Sequence, residues 1–420
     1  MTDTDTHRAI LAIWRIEQAR LIAVLARMTR DVGLAEDLAQ ETLVTALERW
    51  PATGVPENPG AWLMTTARNR TLDHLRRSKM IGRKHAEILH ELEAEQSTMP
   101  DFDAAMDDDI GDDLLRLIFT ACHPLLSREA RAALTLRMIG GLTTQEIARA
   151  FLATETTISQ RIVRAKRTLS ESGLAYETPR GQELALRLAS VLEVIYLIFN
   201  EGYAATAGED WMRPQLCEEA LRLGRILATL APLEPEVHGL VGLMELHASR
   251  AAARTNAAGE PILLLEQNRA RWDRLLIQRG LAALERAEAL SPERGFYTLQ
   301  AAMVACHARA PAAAATDWTQ IAALYGELAA LAPSPVVELN RAVAVAMTQG
   351  PQAGLDIVDR LTGEPALQRY HLLPSVRGDF LARLGRQEEA RVEFERAAAL
   401  AGNQRERDLM LKRAEETAGR

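Results

Sequence analysis

The sequence predicts an all-α protein. Apolar residues recur with a period of about 3.6 along most of its 420 residues, and the strict alternation that indicates a half-buried strand is scarce. Aromatic residues make up only 5% of the chain, whereas Ala, Leu, Arg and Glu, which favour helices, are abundant. A chain of this length has room for two or three domains, each with its own core.

The first clear amphipathic helix is predicted at Asp37–Trp50. Its apolar side is formed by Leu38, Leu43, Ala46 and Leu47. Its more polar side carries Asp37, Gln40 and Glu41. A break rich in Pro and Gly follows over residues 51–60, and it is predicted to end this helix.

A second helix is predicted at Ala61–Arg77. Its buried side is formed by Leu63, Ala67, Leu72 and Leu75. The remaining surface combines Arg side chains, which suit phosphates, with Asn and Thr side chains, which suit base edges. This composition indicates a surface that holds nucleic acid, although any single Arg could equally be a solvated surface charge.

A dense acidic segment, Asp101–Asp113, separates two basic regions at Arg68–Lys84 and Arg161–Arg167. The net charge of −8 therefore does not exclude DNA binding, because a DNA-reading protein needs positive charge only on its reading face. The acidic segment is predicted to be an exposed linker. Three roles for this segment stay open: a plain tether, a segment that enters a basic channel of a partner, or a cover for the basic helices.

A helix-turn-helix is predicted at Leu142–Arg167. The first helix is expected from Thr144 to Phe151, with Thr143 or Thr144 as N-cap, and the second is expected from Glu155. The seam between them is formed by Ile147, Ala148, Phe151, Ile158 and Ile162. Polar and basic residues on the second helix suit the major groove, although an ordinary helical hairpin with a basic face is the alternative.

The second half of the chain reads as a helical array. His371–Gly402 fits a tetratricopeptide unit, in which Gly378 allows two helices to approach closely, and Val336–Leu361 is a weaker unit. Further helices are predicted at Leu275–Leu290 and Ile321–Leu331. Such an array stacks its units and leaves a concave surface that can bind a partner, unless its role is purely architectural.

A long apolar stretch, Val191–Thr206, is predicted to be a buried helix at the start of this array. It is too short and too interrupted to span a membrane. A polar cluster is predicted at its end, formed by Asn200, Glu201, Tyr203 and Trp211. Contact with a ligand or partner is one interpretation, and helix capping and packing is the other.

Two motif blocks together resemble a known family. Regions 2.1 to 2.4 of a bacterial RNA polymerase sigma factor resemble DLAQETLVTALERW followed by WLMTTARNRTLDHLRR, and region 4 resembles LTTQEIARAFLATETTISQRIVRAKRTL. The order and spacing are similar to those of the extracytoplasmic-function (ECF) group, and the match covers the chain up to about residue 170. More than half of the chain follows region 4, so the chain resembles the subgroup with a C-terminal tetratricopeptide-like helical extension.

The resemblance implies an alternative sigma factor that directs promoter-specific initiation, with an extension that modulates its activity. The implied contacts to core polymerase are Asp37, Gln40 and Glu41. The implied contacts to the −10 element are Trp62, Thr65, Thr66, Arg68, Asn69, Arg70, Asp73, Arg76 and Arg77. The implied contacts to the −35 element are Thr157, Ser159, Gln160, Arg161, Arg164, Lys166 and Arg167. The implied organisation is sigma domain 2 at residues 8–85, an acidic linker at 86–111, sigma domain 4 at 112–172 and the extension at 178–420.

Core RNA polymerase and promoter DNA are the implied partners. In the subgroup no classical anti-sigma factor is the usual partner, and a small DGPF (YCII-related) family protein is a further candidate. A cytoplasmic protein is expected, because no apolar run of about 18 residues is present and the N-terminus lacks a signal-peptide core.

Other classes of function explain less of the chain. A helix-turn-helix regulator with a signal-sensing repeat domain leaves the block at residues 37–77 unexplained, and a repeat scaffold explains only the second half. No phosphate loop, nucleophile elbow or HExxH pattern indicates an enzyme, and no cofactor is implied. Cys122 and His123 lack a second ligand pair, so a buried thiol and a helix-end histidine are expected rather than a metal site.

Overall fold

The computed structural model describes residues 3–81, 113–151, 153–174, 176–179, 181–204, 212–256 and 259–418. This part of the chain is built from helices, and its β-structure is limited to an isolated bridge between Thr255 and Pro261. The prediction of an all-α fold is therefore confirmed. The chain divides into two compact units, Met1–Ile195 and Tyr196–Arg420.

The described residues of the first unit form seven helices, and the unit ends within an eighth. They are α1 (Asp3–Thr29), α2 (Val32–Thr53), α3 (Pro59–Ile81), α4 (residues 113–121), α5 (Arg128–Met138), α6 (Thr144–Ala150), α7 (Glu155–Glu171) and α8 (Gly181–Tyr203). The first three pack against one another, and α6 packs on α7. The four apolar residues predicted for the inner side of α3 are all buried.

Helix α2 is longer than the sequence predicted at both ends. It begins at Val32 because Asp31 caps it: Oδ1 accepts from the backbone N of Gly33 at 2.7 Å and of Leu34 at 3.0 Å. It continues past Pro51 to Thr53, so the proline does not end it as expected. Gly54, with a φ of 82°, provides the left-handed residue at which the helix stops.

The prediction that the acidic segment Asp101–Asp113 is exposed is wrong for its last residue, because Asp113 is buried. Its side chain is 1% exposed and lies 3.0 Å from Nε of Arg27 and 2.7 Å from an Nη of Arg116. Two arginines offset the cost of burying this carboxylate, which net charge along the sequence does not reveal. The rest of the segment lies outside the described residues.

The second unit is a succession of short helices joined by tight turns. After the end of α8 come α9 (Pro214–Leu230), α10 (Pro235–Ala248), α11 (Arg274–Leu290), α12 (Phe296–Arg309), α13 (Trp318–Leu331), α14 (Pro335–Gln349), α15 (Pro351–Leu361), α16 (Leu372–Arg383), α17 (Gln387–Leu400) and α18 (Gln404–Ala418). Neighbouring helices pack in pairs from α10 to α18. The helices predicted for the repeat array are thus present close to their predicted bounds.

Gly378 has the role that the repeat pattern predicted. A Cβ at this position would lie 2.9 Å from the ring of Phe394 in the next helix, so only glycine permits the observed approach of α16 and α17. Leu381, Ala390, Phe394 and Ala397 are all buried in the same core. Among the described residues, no helix is both long and apolar enough to cross a membrane.

Candidate promoter- and polymerase-binding surfaces

Helices α6 and α7 form the predicted helix-turn-helix, and local capping fixes both of their starts. Thr143 Oγ1 accepts from the backbone N of Glu146 at 3.1 Å, and Glu146 Oε2 accepts from the backbone N of Thr143 at 2.7 Å. This reciprocal pair is a capping box. Thr154 caps α7 by accepting from the backbone N of Thr157 at 3.1 Å. The second helix therefore begins at Glu155, as predicted.

The face of α7 opposite the seam is open to solvent. Ile147, Ile158 and Ile162 are buried between the helices. The exposed residues of the predicted −35 set are Thr157, Ser159, Gln160, Arg164 and Arg167, and Arg161 is half-buried. Arg167 also forms an ion pair of 2.7 Å with Glu171 one turn later. Such exposed pairs are weak and exchange readily with other partners.

Lys166 differs from the rest of that set. Its side chain is 20% exposed, and its ammonium forms an ion pair with the carboxylate of Glu36 on α2. Arg137 on α5 reaches the same carboxylate, with Nε 2.7 Å from Oε1. Glu36 and Arg137 carry no local sequence signal, because their pairing joins residues about a hundred positions apart.

The polar face of α3 carries the predicted −10 set. Thr65, Asn69, Asp73, Arg76 and Arg77 are exposed, and Trp62, Thr66 and Arg68 are half-buried. Arg70 turns toward α2, where its guanidinium donates to Glu41 Oε2 at 2.9 Å and to Thr45 Oγ1 at 2.6 Å. This residue thus braces α3 on α2, and it joins the predicted DNA set to Glu41 of the predicted polymerase set.

Two tryptophans fix the join between α2 and α3. Trp50, which is 1% exposed, meets Trp62 edge to face with ring centroids 5.2 Å apart. Asn58 closes the same join, because its Oδ1 accepts from the backbone N of Ala61 at 3.0 Å near the start of α3. These contacts hold the end of α2 against the start of α3.

The predicted polymerase set lies on the outer side of α2. Asp37 and Glu41 are exposed, and Gln40 is half-buried. Gln40 Nε2 donates to Glu36 Oε1 at 2.9 Å. The two exposed carboxylates are one turn apart and offer hydrogen-bond acceptors that a basic partner surface can use.

The polar cluster predicted at the end of α8 is largely internal to the second unit. Glu201 forms an ion pair with Arg213, and Tyr203 OH accepts from Arg250 at 2.8 Å while its ring lies 3.6 Å from the guanidinium of Arg254. Asn200 is exposed, and Trp211 lies outside the described residues. These contacts give Glu201 and Tyr203 a packing role in this structure.

Cys122 is a buried thiol, as predicted. Its Sγ lies 3.3 Å from Oγ1 of Thr135, and burial raises the pKa of the thiol to about 11. It is therefore protonated at neutral pH and poorly suited to nucleophilic attack or metal binding.

Known families match successive parts of the chain. The sigma-70 region 2 family matches residues 13–80, and the sigma-70 region 4 family matches residues 116–169. A family of unknown function, DUF6596, matches residues 187–288. The two sigma matches cover the helices that carry the −10 and −35 sets.

SigL of Mycobacterium tuberculosis, an ECF RNA polymerase sigma factor, is 34% identical over 40% of this chain and 88% of its own length. The chain belongs to the ECF sigma factor family. SigI of the same species, a probable ECF RNA polymerase sigma factor, is 28% identical over 44% of this chain, and the match spans 62% of SigI. An uncharacterized protein of Rhizobium meliloti is 43% identical over 95% of this chain and 93% of its own length, so most of the extension is common to both.

This sigma factor directs transcription initiation, and its first compact unit carries regions 2 and 4 of the family. The resemblance drawn from the two motif blocks is thereby confirmed. Core RNA polymerase and promoter DNA are the partners that the family implies. Sigma factors are generally not enzymes.

Proposed function

We propose that α2 is the main contact of this sigma factor with core polymerase, and that α3 and α7 read the −10 and −35 elements. The observation that carries this proposal is the division of each helix into a buried apolar side and an exposed polar side. Carboxylates of Asp37 and Glu41 suit an arginine-rich polymerase surface. Hydroxyl, amide and guanidinium groups on α3 and α7 suit base edges and phosphates.

The roles proposed within α3 differ along the helix. Thr65, Thr66, Arg68 and Asn69 face the non-template strand, and the loop over residues 51–60 encloses a flipped base, which costs a few kcal/mol to extrude. Arg76 and Arg77 hold backbone phosphates. Arg70 keeps its hydrogen bond to Glu41 and thereby holds α3 on α2. The protein performs no covalent chemistry itself and works in the cytoplasm.

Footprinting of the holoenzyme on a promoter tests the assignment of α7. We expect protection at both elements and a loss of −35 protection when Gln160→Ala and Arg161→Ala are combined. Each good bidentate contact to a base contributes roughly 1–3 kcal/mol of discrimination. Protection confined to the −10 region in the wild type, with both substitutions silent, would overturn the −35 assignment.

The extension is proposed to be required for full activity rather than to be an inhibitor. Because it is part of the same chain, it is always present at high effective concentration near the sigma regions. Its stacked helices are suited to positioning a partner, and a DGPF (YCII-related) protein stays a prediction for that partner. No classical anti-sigma factor is needed in this scheme.

A truncation tests this role, and its end point must respect the first compact unit. That unit extends to Ile195, and α8 contributes Ser190 and Glu193, which contact Arg131 of α5. Ending the chain near Thr178 would remove these contacts. A chain ending at Ala204 keeps all of α8. We expect it to bind core polymerase but to initiate transcription poorly, and activity equal to or above that of the full chain would contradict the proposal.

A further inference from the structure

The long connection between α10 and α11 places three arginines in the interior of the second unit. Residues 249–273 join these helices, whereas Gly350 alone joins α14 to α15. The described part of the connection forms short 3-10 turns and an isolated bridge rather than a regular element. Connections of this length are uncommon in compact domains and are often functional. Arg250 and Arg254 are 6% and 7% exposed, and Arg269 is half-buried.

Two aromatic rings hold the three guanidinium groups in one arginine cluster. The guanidinium carbons of Arg250 and Arg254 lie 5.9 Å and 3.6 Å from the ring centroid of Tyr203. Those of Arg250 and Arg269 lie 5.8 Å and 4.8 Å from the ring centroid of Trp272. Arg250 therefore shares one ring with each of the other two arginines and links them.

The hydrogen-bond partners of Arg250 and Arg269 are neutral groups. Arg250 donates to the hydroxyl of Tyr203 at 2.8 Å and to Nδ1 of His247 at 2.6 Å. Arg269 donates to two carbonyl oxygens and one hydroxyl, which belong to His307, Ala310 and Thr316. These contacts position the two guanidinium groups, but they do not offset two positive charges.

Both histidines beside the cluster are neutral at neutral pH. Burial, and then the charges of Arg250 and Arg254, hold the pKa of His247 well below its usual value. Burial, and then the charges of Arg250 and Arg269, lower the pKa of His307 to about 4. The surroundings therefore disfavour further positive charge and favour negative charge.

Carboxylates neutralise other arginines of this unit, but not these two. Arg377 on α16 is more exposed, at 22%, yet it meets Asp359 at 2.8 Å and Glu393 at 2.9 Å. Within the described ranges of the chain, neither Arg250 nor Arg269 forms an ion pair with a carboxylate. The acidic residues of the connection are bonded to other groups or exposed: Glu260, Asp273 and Glu266.

Three buried N–H groups in the cluster lack an acceptor. They are Nε of Arg250, Nε of Arg269 and Nε1 of Trp272, and none of them makes a hydrogen bond to the residues that the structure describes. Trp272 is itself only 4% exposed. Buried donors without acceptors are costly and rare in native proteins. An anion supplies both the missing acceptors and the missing negative charge.

We propose that Arg250, Arg269 and the indole N–H of Trp272 bind a small phosphate ligand, either free phosphate or the phosphate group of a small monoester. A phosphate group carries about −1.5 to −2 charges at neutral pH, which matches two guanidinium groups, and its oxygens accept several hydrogen bonds. The ligand must be small because Arg250 and Trp272 are almost fully buried. Arg269, which is half-buried, is the member that an incoming ion meets first.

This site makes the extension a ligand-binding domain as well as a stack of helices. A ligand that binds only the folded state stabilises that state, so phosphate should slow local opening of the connection around Arg269 and Trp272. The proposal goes beyond the roles proposed for α2, α3 and α7, and it does not depend on them.

Equilibrium dialysis of the full-length chain against radiolabelled inorganic phosphate, in a chloride buffer of constant ionic strength, tests the site. We expect stoichiometric binding with a Kd below about 1 mM. Arg269→Gln should weaken binding at least about tenfold, because it removes a charge-assisted contact. Arg279→Gln is the matched control, since Arg279 is exposed on α11 and the change in net charge is the same. Circular dichroism checks that both variants are folded.

Hydrogen exchange followed by mass spectrometry locates the bound phosphate without any substitution, so the test does not depend on the folding of Arg269→Gln. Peptides that contain Arg269 and Trp272 should exchange more slowly with phosphate than with chloride at equal ionic strength. Glycerol 2-phosphate that displaces the labelled ion would extend the site to monoesters, and failure to displace it would restrict the site to free phosphate.

Three results would overturn the site. The first is a wild-type chain that binds no phosphate in dialysis. The second is folded Arg269→Gln that binds phosphate as tightly as Arg279→Gln does. The third is phosphate protection confined to α3 and α7, because the ion would then occupy the surfaces proposed for DNA. None of these results depends on transcription, so the proposed function is decided separately.

Discussion

Arg164 offers the most quantitative test of how α7 meets DNA. It is exposed, and within the part of the chain that the structure describes it forms no ion pair, whereas Lys166 pairs with Glu36 and Arg167 pairs with Glu171. A cation that neutralises one phosphate contributes about 0.9 to the slope of log affinity against log salt concentration. Over a rise from about 50 to about 200 mM salt, one such contact accounts for about a 3.5-fold loss of affinity.

Arg164→Ala should therefore lower the salt slope by about 0.9 and weaken binding to every promoter alike. The assay is an equilibrium titration of a labelled promoter duplex with holoenzyme over a series of salt concentrations. Arg20→Ala is the matched control, since Arg20 is also exposed and its loss changes the net charge equally, but it lies on α1. A salt slope for Arg164→Ala that equals the slope for Arg20→Ala would refute the phosphate contact.

Three further predictions concern other parts of the chain. Asp37→Ala with Glu41→Ala should weaken core binding at least about tenfold, or about 1.4 kcal/mol, in a pull-down titration, while thermal unfolding stays close to wild type; unchanged affinity would remove the assignment of α2. Asn69→Ala should alter base preference at the −10 element in transcription from a randomised promoter pool, and an identical preference profile would show that Asn69 does not read bases. Burial first, and then the charge of nearby arginines, lowers the pKa of His307 from about 6.5 to about 4, so the neutral ring is favoured in the folded state. Its contribution to stability should be complete above pH 6.5 and should fall by about 3 kcal/mol as the pH drops to about 4. Urea titrations of the full chain across that range measure the loss, which His307→Gln should reduce.

The sequence predicted the helices whose signals are local. The apolar stripe of α3 and the start of α7 at Glu155 follow from spacing and capping within a few residues, and both agree with the structure. The start of α2 was missed because Gly33 lowers helix propensity, and only the cap from Asp31 shows that the helix begins before it. Its end was missed because Pro51 lies in the last turn, where little of the helix remains to be broken.

Long-range electrostatics accounts for what the sequence could not predict. Glu36 and Asp113 look like ordinary surface carboxylates in sequence, yet both are buried with arginine partners. Which cation meets which carboxylate depends on how the helices pack, and no periodicity encodes it. The candidate surfaces could be predicted from the motifs and from the polar face of each helix. The burial of Lys166 could not, because it depends on the packing of α7 against α2.

Transcription from genomic DNA of the source organism, with purified core polymerase and 5′-end mapping, tests the central claim most directly. With the full-length chain added, we predict a discrete set of 5′ ends that share one sequence near −10 and another near −35. Core polymerase alone should give no such set. Ends that are scattered in the same way with and without the chain would contradict its role as the promoter-recognising subunit.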